Sequence, residues 1–588
     1  MVKGHVMNRF RVLVVVCAAC ISSLAQDREG TAGWIDISKP PYNAAGDGVT
    51  DNTKAFQDAL HQAGEGAGGT VFVPRGRYLI TGNLRFRPNV TLLGAWEFTP
   101  HSYTFFGDGK EPLPGSVLLT TAGEGSAEGA PFIALHTNCC IKGLTIFHPN
   151  QTRTNPPKPY PWTIASTEGG ADHCTVRDTL LVNPYQAIDF GTNPSGRHCI
   201  QNVYMHPLYR GIFVDKCYDI GRIEDVHVWP FWGYTGDDDP IGQFVTANAE
   251  AFIFGRTDWE YVSNSFAIFY KVGFHFIKTA AGSPNVLITQ SGADICPSAA
   301  LVEDCQSHAG VSFENCQMFG RIVVPETNTG PVRFTACGFF GSSREKPFAE
   351  PTHADLRGKA HVSFDNCHFI TLDPLNTGTV NLRASGGTFS VNNCLFMDPG
   401  RTQVLAAEGC TGGIVLGNTF QGKAVIESRI GDRLQQGFNL DQAPKEKQGT
   451  IVIDDATSGD AFKTTGDWYL GKGGDDYAGV LHWAKKGTGE ATASWQPNLP
   501  EAGTYQIHLW YGGDPYDNHA TDAPFTVEYK KGAETVTQKL PVNLKQHSGE
   551  WQLLGEFPFE AGKSVTVTVT NAANENVVAD AVKFVKVK

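Results

Sequence analysis

The sequence predicts an all-β protein in which a solenoid of short parallel strands is followed by an antiparallel β-sandwich. Three observations carry this. Short runs rich in Val, Ile and Phe recur between turns every 20 to 30 residues from about 84 to 422, with no helix of useful length among them. One pattern, an early Asp or Asn followed by an alternating run and a turn, is written four times between Thr175 and Phe276, at Asp178, Asn202, Asp225 and Asn264. After residue 450 cysteine disappears and Thr- and Val-rich alternating runs take over, at Tyr505–Tyr511, Phe525–Tyr529 and Val565–Val569. A solenoid coil buries its apolar face only against its neighbours, so the repeat has to be sustained.

A length of 588 residues exceeds one ordinary core. With 41% hydrophobic and 18% charged residues the chain is globular, and 65 glycines suit a fold with many turns. The net charge of −13 argues against nucleic acid and against an anionic membrane surface as partners.

The N-terminus has the form of an export signal. Arg9 and Arg11 precede the apolar run Val12–Cys20, and Ser23-Leu24-Ala25 places small residues at the cleavage positions. Residues 1–25 are therefore expected to be removed, with Met7 as an alternative start. The expected destination is the periplasm or the exterior. A lipid anchor at Cys17 or Cys20 is the alternative, which the residues before each cysteine do not favour. There is no other apolar run of eighteen residues, hence no expected membrane span.

Residues 34–96 form a first unit. Gly46-Asp47-Gly48 is a turn, and Asp51, Asn52 or Thr53 caps a helix from about Lys54 to Ala63 with Ala55, Phe56, Ala59, Leu60 and Ala63 on one face. Thr70–Val73 and Tyr78–Ile80 read as strands. The run GDGVTDNTKAFQDAL followed by GGTVFVPRGRYLI resembles the start of the pectate-lyase-like superfamily of right-handed parallel β-helix proteins. That resemblance implies a helix capping the end of a right-handed β-helix, and a polygalacturonase- or polysaccharide-lyase-type protein. It does not fix the reaction, because one scaffold hosts several chemistries. Residues 26–424 are accordingly expected to form a catalytic β-helix domain, with 97–132 and 149–166 hanging over the coils as loops. Residues 425–449 read as a polar linker and 450–588 as a β-sandwich accessory module. Gly503–Ile507 together with Val578–Phe584 is similar to the golvesin or xanthan-lyase C-terminal type of module.

Twelve of the fourteen cysteines lie between Cys139 and Cys410. In an exported protein disulfides are the first thought. Yet Cys316, Cys337, Cys367 and Cys394 recur in FENCQMF, FTACGFF, FDNCHFI and VNNCLFM, and Asn418 of VLGNTF takes the next place. This predicts a buried column of free thiols. No Cys/His set has zinc spacing.

Glycoside hydrolysis needs two carboxyl groups, an acid and a base or nucleophile. Aligning coils on Asp178 and Asn202 places Asp189 and Asp215 one coil and two residues apart, about 8 Å. The alternative is that both merely end strands at turns. Asp258 and Glu260 form a second pair, expected on one face with Trp259 on the other; a solvated charged face competes with that reading. Sugar contact is expected from His206, Tyr209, Arg210, His227, Trp229 and Trp232, with Phe231 and Tyr234 nearby and His275 and Lys278 on a later coil. A buried aromatic ladder is the alternative. Asp237, Asp238 and Asp239 could hold calcium, against a plain acidic loop; no cofactor is otherwise required. A lyase would instead abstract a proton beside a uronate carboxylate, with Arg210, Arg256, Lys271 and Lys278 as candidates, although no clear lyase signature surrounds them. The Asn-Thr-Asp and Asp-Asp motifs of typical polygalacturonases are absent, which puts pectin in doubt as substrate. The expected function is a polysaccharide-degrading glycoside hydrolase, with a lyase or a non-catalytic glycan-binding surface protein as alternatives.

Overall fold

A computed structural model places the capping helix at Thr53–Ala63, with Phe56, Ala59, Leu60 and Ala63 buried. Asp51 ties down its start. The carboxylate accepts from Thr53 N at 3.0 Å and from the hydroxyls of Thr53 and Thr81 at 2.6 and 2.8 Å. The structure describes residues 34–95, 114–232, 238–342, 352–372, 379–397, 401–442, 450–455, 459–471, 475–513 and 517–587. The expected export signal lies outside them. The chain divides into two units, up to Phe244 and from Val245.

In the first unit, each coil gives one strand to each of two parallel sheets. One sheet holds Cys140–Phe147, Thr175–Leu181, Cys199–Met205 and Arg222–Val228, with Leu144, Thr179, Val203 and Val226 in one row. The other holds Ile133–Leu135, Trp162–Ser166, Gln186–Phe190 and Arg210–Val214, with Ile133, Ile164, Ile188 and Ile212 in one row. These rows are the buried core. Asp178, Asn202 and Asp225 all adopt left-handed backbone, φ 50°, 51° and 53°. Asn and Asp tolerate that region where β-branched residues do not. Asn202 also donates to the Asp178 carboxylate at 2.9 Å. The column is scaffold.

Two expected loops are partly coil. Ser116–Thr120, inside 97–132, is a buried strand paired with Gly76–Ile80, and Trp162–Ser166, inside 149–166, is a strand of the second sheet. Their turn-rich flanks masked short apolar runs.

The second unit continues the same construction. Parallel strands run from Val272–Phe276 through Ser298–Val302, Arg321–Val324, Ala354–Leu356, Leu382–Ala384 and Val404–Ala406 to Ile426–Ser428. The left-handed position recurs at Asn264, Asn315, Asn366 and Asn393. Cys316, Cys337, Cys367 and Cys394 are free and buried. Each Sγ lies 3.2–3.4 Å from the carbonyl two residues before it. Asn418 takes the next place, its Oδ1 accepting from Cys394 N at 2.8 Å. Phenylalanine rings stack between coils, Phe313–Phe334–Phe364 at 4.9 and 5.0 Å and Phe339–Phe369–Phe396–Phe420 at 4.9, 4.7 and 4.8 Å. Leu434–Gly437 and Leu440–Asp441, expected in the linker, are parallel strands of the last coil.

From Thr450 the pairing becomes antiparallel. Thr450–Asp454, Ala581–Lys586, Gly503–Trp510 and Gln552–Phe559 make one sheet. Phe462–Thr465, Thr492–Trp495, Val565–Thr570, Ala523–Lys531 and Glu534–Val542 make another. Trp495, Tyr505, Phe525, Val567 and Phe584 belong to the core between them.

Candidate functional site

In the first unit, the alternation that buries Val203, Met205, Val226 and Val228 turns Tyr204 and His227 outward. These two are partners in register and their rings stack at 5.5 Å. The run continues from His227 to Trp229 at 5.4 Å, Trp229 to Phe231 at 5.9 Å and Phe231 to His206 at 6.0 Å. Trp232 closes it, its backbone N–H donating to His206 Nδ1 at 3.1 Å. The Arg153 guanidinium lies 5.4 Å from the Trp232 ring centre. Four expected sugar-contact residues, His206, His227, Trp229 and Trp232, thus stand together. Tyr234 lies outside the described residues.

Electrostatics set the state of both histidines. Burial, reinforced by Arg153, pushes the His206 pKa down to about 3, and burial also lowers that of His227. Both are neutral imidazoles at pH 7. His206 accepts at Nδ1, so its proton sits on Nε2. That Nε2–H and the Trp229 Nε1–H are buried donors with no acceptor among the described residues. Beside the rings, Lys142, Arg177, Gln201 and Glu224 form a polar row in register. Arg177 and Lys142 stand 3.3 and 3.9 Å from the Asp178 carboxylate, and Gln201 donates to Glu224 at 3.1 Å.

Tyr209 and Arg210 stand instead at the start of a strand in the second sheet. Tyr209 stacks on Tyr185 at 5.2 Å and Arg210 lies 5.1 Å over the Tyr209 ring.

The carboxylate pairs come out differently from expectation. Asp189 pairs in register with Phe213, so Asp215 does stand one coil and two residues away. Both, however, are inside, 2% and 4% exposed. Asp189 Oδ1 accepts from Gly191 N at 2.8 Å and Thr192 N at 2.7 Å, closing its own turn. Burial pushes its pKa up against those bonds. In the second unit, Asp258 and Glu260 do not share a face. Trp259 adopts φ 56°, which breaks the strand alternation. Trp259 is left exposed and Glu260 fully buried, while Asp258 is held by Arg256 through bonds of 2.6 and 3.2 Å.

His275 lies 3.2 Å from Glu250 and 3.2 Å from Glu303. Burial alone would lower its pKa, but the two carboxylates outweigh it and the value is raised. Lys278 Nζ is 3.9 Å from Asp304. Of the acidic loop, Asp237 lies outside the described residues. Asp239 caps the helix Pro240–Asn248, accepting from Ile241 N at 2.8 Å and Gly242 N at 3.1 Å.

Sequence reasoning missed Tyr204, Arg153, Glu250 and Glu303. A signal for Tyr204 existed, since it stands two residues after Asn202 as His227 stands two after Asp225. Nothing local marked Arg153, which comes from a loop.

Residues 40–213 match the model of the rhamnogalacturonase A/epimerase, pectate-lyase-like family, and residues 451–586 that of the golvesin C-terminal domain. Each resemblance expected from the sequence holds over its own part of the chain. The chain is 33% identical over 144 residues to a xanthan lyase of Bacillus sp. (strain GL1), 24% of this chain and 15% of that protein. It is 37% identical over 68 residues to mannuronan C5-epimerase AlgE1 of Azotobacter vinelandii, 10% of this chain and 5% of that one. The chain thus spans only a small part of these curated relatives. Among solved structures, pre-mature bacteriophage phi29 gene product 12 matches at 12% identity and TM-score 0.45, over 74% of this chain and 58% of that one.

Proposed function

We propose that this protein is a polysaccharide-acting enzyme that seats its substrate on the ring-lined face of the first unit. The observation that carries this reading is the pair of orphaned buried donors, Trp229 Nε1–H and His206 Nε2–H, set into a run of tilted ring contacts that leads from a neutral His227. Flat apolar rings suit sugar faces, and buried donors are costly unless an acceptor arrives. Sugar hydroxyls and carboxylates are such acceptors.

The reaction that best fits this face is β-elimination from a uronate. A base removes the proton beside the carboxylate, the bond to the leaving oxygen breaks, that oxygen takes up a proton, and a double bond forms in the ring. His227, neutral at pH 7, is assigned the base, and Arg153, exposed beside Trp232, neutralises the uronate. The names of the relatives, a xanthan lyase and a mannuronan C5-epimerase, support the substrate class. The reading needs no cofactor. It places the protein outside the cytoplasm, where such polymers lie, in keeping with the expected export signal; among the described residues no helix is long and apolar enough to cross a membrane.

Hydrolysis by Asp189 and Asp215 is the second reading. Their register offset and the raised Asp189 pKa favour it, since a general acid has to hold its proton. Their burial counts against it. Incubation with a panel of neutral and uronate-containing polysaccharides decides. Ultraviolet-absorbing unsaturated ends from a uronate polymer support elimination. New reducing ends without that absorbance support hydrolysis. Retention on a glycan with no product leaves a binding protein.

A further inference from the structure

The C-terminal sandwich contains a cluster that the proposed reaction does not use. Asp454 ends the strand Thr450–Asp454 and Asp455 follows it. Asp580 sits between Val577–Ala579 and Ala581–Lys586. Their exposures are 3%, 7% and 2%, and one carboxylate oxygen from each lies within 4.8 Å of the others. We propose that these three carboxylates hold a calcium ion in the sandwich, independently of the glycan face.

Acidic clusters are common without an ion, so the case rests on what surrounds this one. Asp455 Oδ1 and Asp580 Oδ1 are buried and have no hydrogen-bond donor against them. Tyr477 N donates to Asp580 Oδ2 at 3.1 Å and His482 Nδ1 lies 2.6 Å from Asp455 Oδ2; the Gly512 N–H also bonds the Asp580 carboxylate, and the Asp454 and Asp455 carboxyls bond each other. Even a protonated His482 would leave the three carboxylates with an excess of two negative charges, which one divalent cation cancels. Two oxygens on one calcium ion stand at most about 5 Å apart, since each lies 2.3–2.6 Å from the metal. The observed spacing fits. A purely carboxylate donor set suits a hard cation rather than zinc or copper.

The backbone is built around the same spot. A Cβ on Gly512 would stand 1.7 Å from Asp476 Oδ1, so only glycine admits this fourth acidic side chain. Trp495 is close by, its Nε1–H donating to Asp580 O at 3.2 Å.

The full chain, stripped with chelator and desalted, is titrated with calcium by calorimetry and followed by thermal unfolding. The expected result is one saturable site and a rise in melting temperature of about 5 °C at saturation. Terbium at that site should be sensitised through Trp495 and displaced by calcium. Asp580→Asn should weaken binding about a hundredfold, because affinity follows the count of charged ligands. Should Asp580→Asn fail to fold, the wild-type titration and Asp455→Asn decide. No uptake of calcium by the wild type, or uptake of zinc but not calcium, would overturn the assignment.

Discussion

At the scale of the residue, His206 and His275 are set to opposite states by what touches them. His206 is enclosed without an acid and its pKa falls to about 3. His275 is nearly as enclosed but lies between Glu250 and Glu303, and its pKa rises. The signs of the pH dependence follow. A raised folded-state value adds stability that is full below the unfolded pKa of about 6.5 and is lost as pH rises through the folded value. Stability of the second unit should therefore fall as pH rises above about 6.5, and His275→Gln should flatten that slope. A depressed value adds stability that is full above about pH 6.5 and falls away toward about pH 3, at up to roughly 1.4 kcal/mol per pH unit for each such histidine. Acid unfolding of the first unit should start below pH 6. Asp189 belongs to the same scale. Its Oδ1 serves two backbone N–H groups, so Asp189→Ala should cost about 2 kcal/mol in denaturant titrations. Asp189→Asn, which keeps an acceptor oxygen, should cost less.

At the scale of the element, the coil is held by columns. Phe364 stacks on Phe334 at 5.0 Å and meets Phe339 edge-on at 5.5 Å. Phe364→Ala should cost about 3–5 kcal/mol in the same titration, because the stack cannot close over the gap. Cysteine stands in its column as a small buried hydrophobe. The twelve described cysteines should thus titrate as free thiols in denaturant, and reductant should leave the melting temperature unchanged. These columns were legible beforehand, since a register-locked solenoid forces one residue type to recur at one place in each coil. The Asn/Asp positions and the step from Cys394 to Asn418 could be read directly. Alternation was less dependable. At Trp259 a left-handed residue reverses inside and outside, and nothing in Asp-Trp-Glu announces it.

At the scale of the molecule, the two architectures were visible because period and cysteine content change near residue 450. The candidate site was only half legible. His206, His227, Trp229 and Trp232 could be gathered by coil alignment, since stacking brings successive coils to one face. Arg153 could not, because a loop has no register. The carboxylate pair shows the limit of spacing arguments: the register of Asp189 and Asp215 was right, but a register does not say whether a side chain faces solvent or its own turn. The central claim is that chemistry belongs to the ring-lined face and not to that pair. The most direct test is kcat/KM of His227→Asn and Asp189→Asn, measured side by side on the uronate polymer that the wild type cleaves. The account predicts a loss of about 10²–10⁴-fold for His227→Asn and less than tenfold for Asp189→Asn. A large loss in Asp189→Asn, with His227→Asn still active, would contradict it.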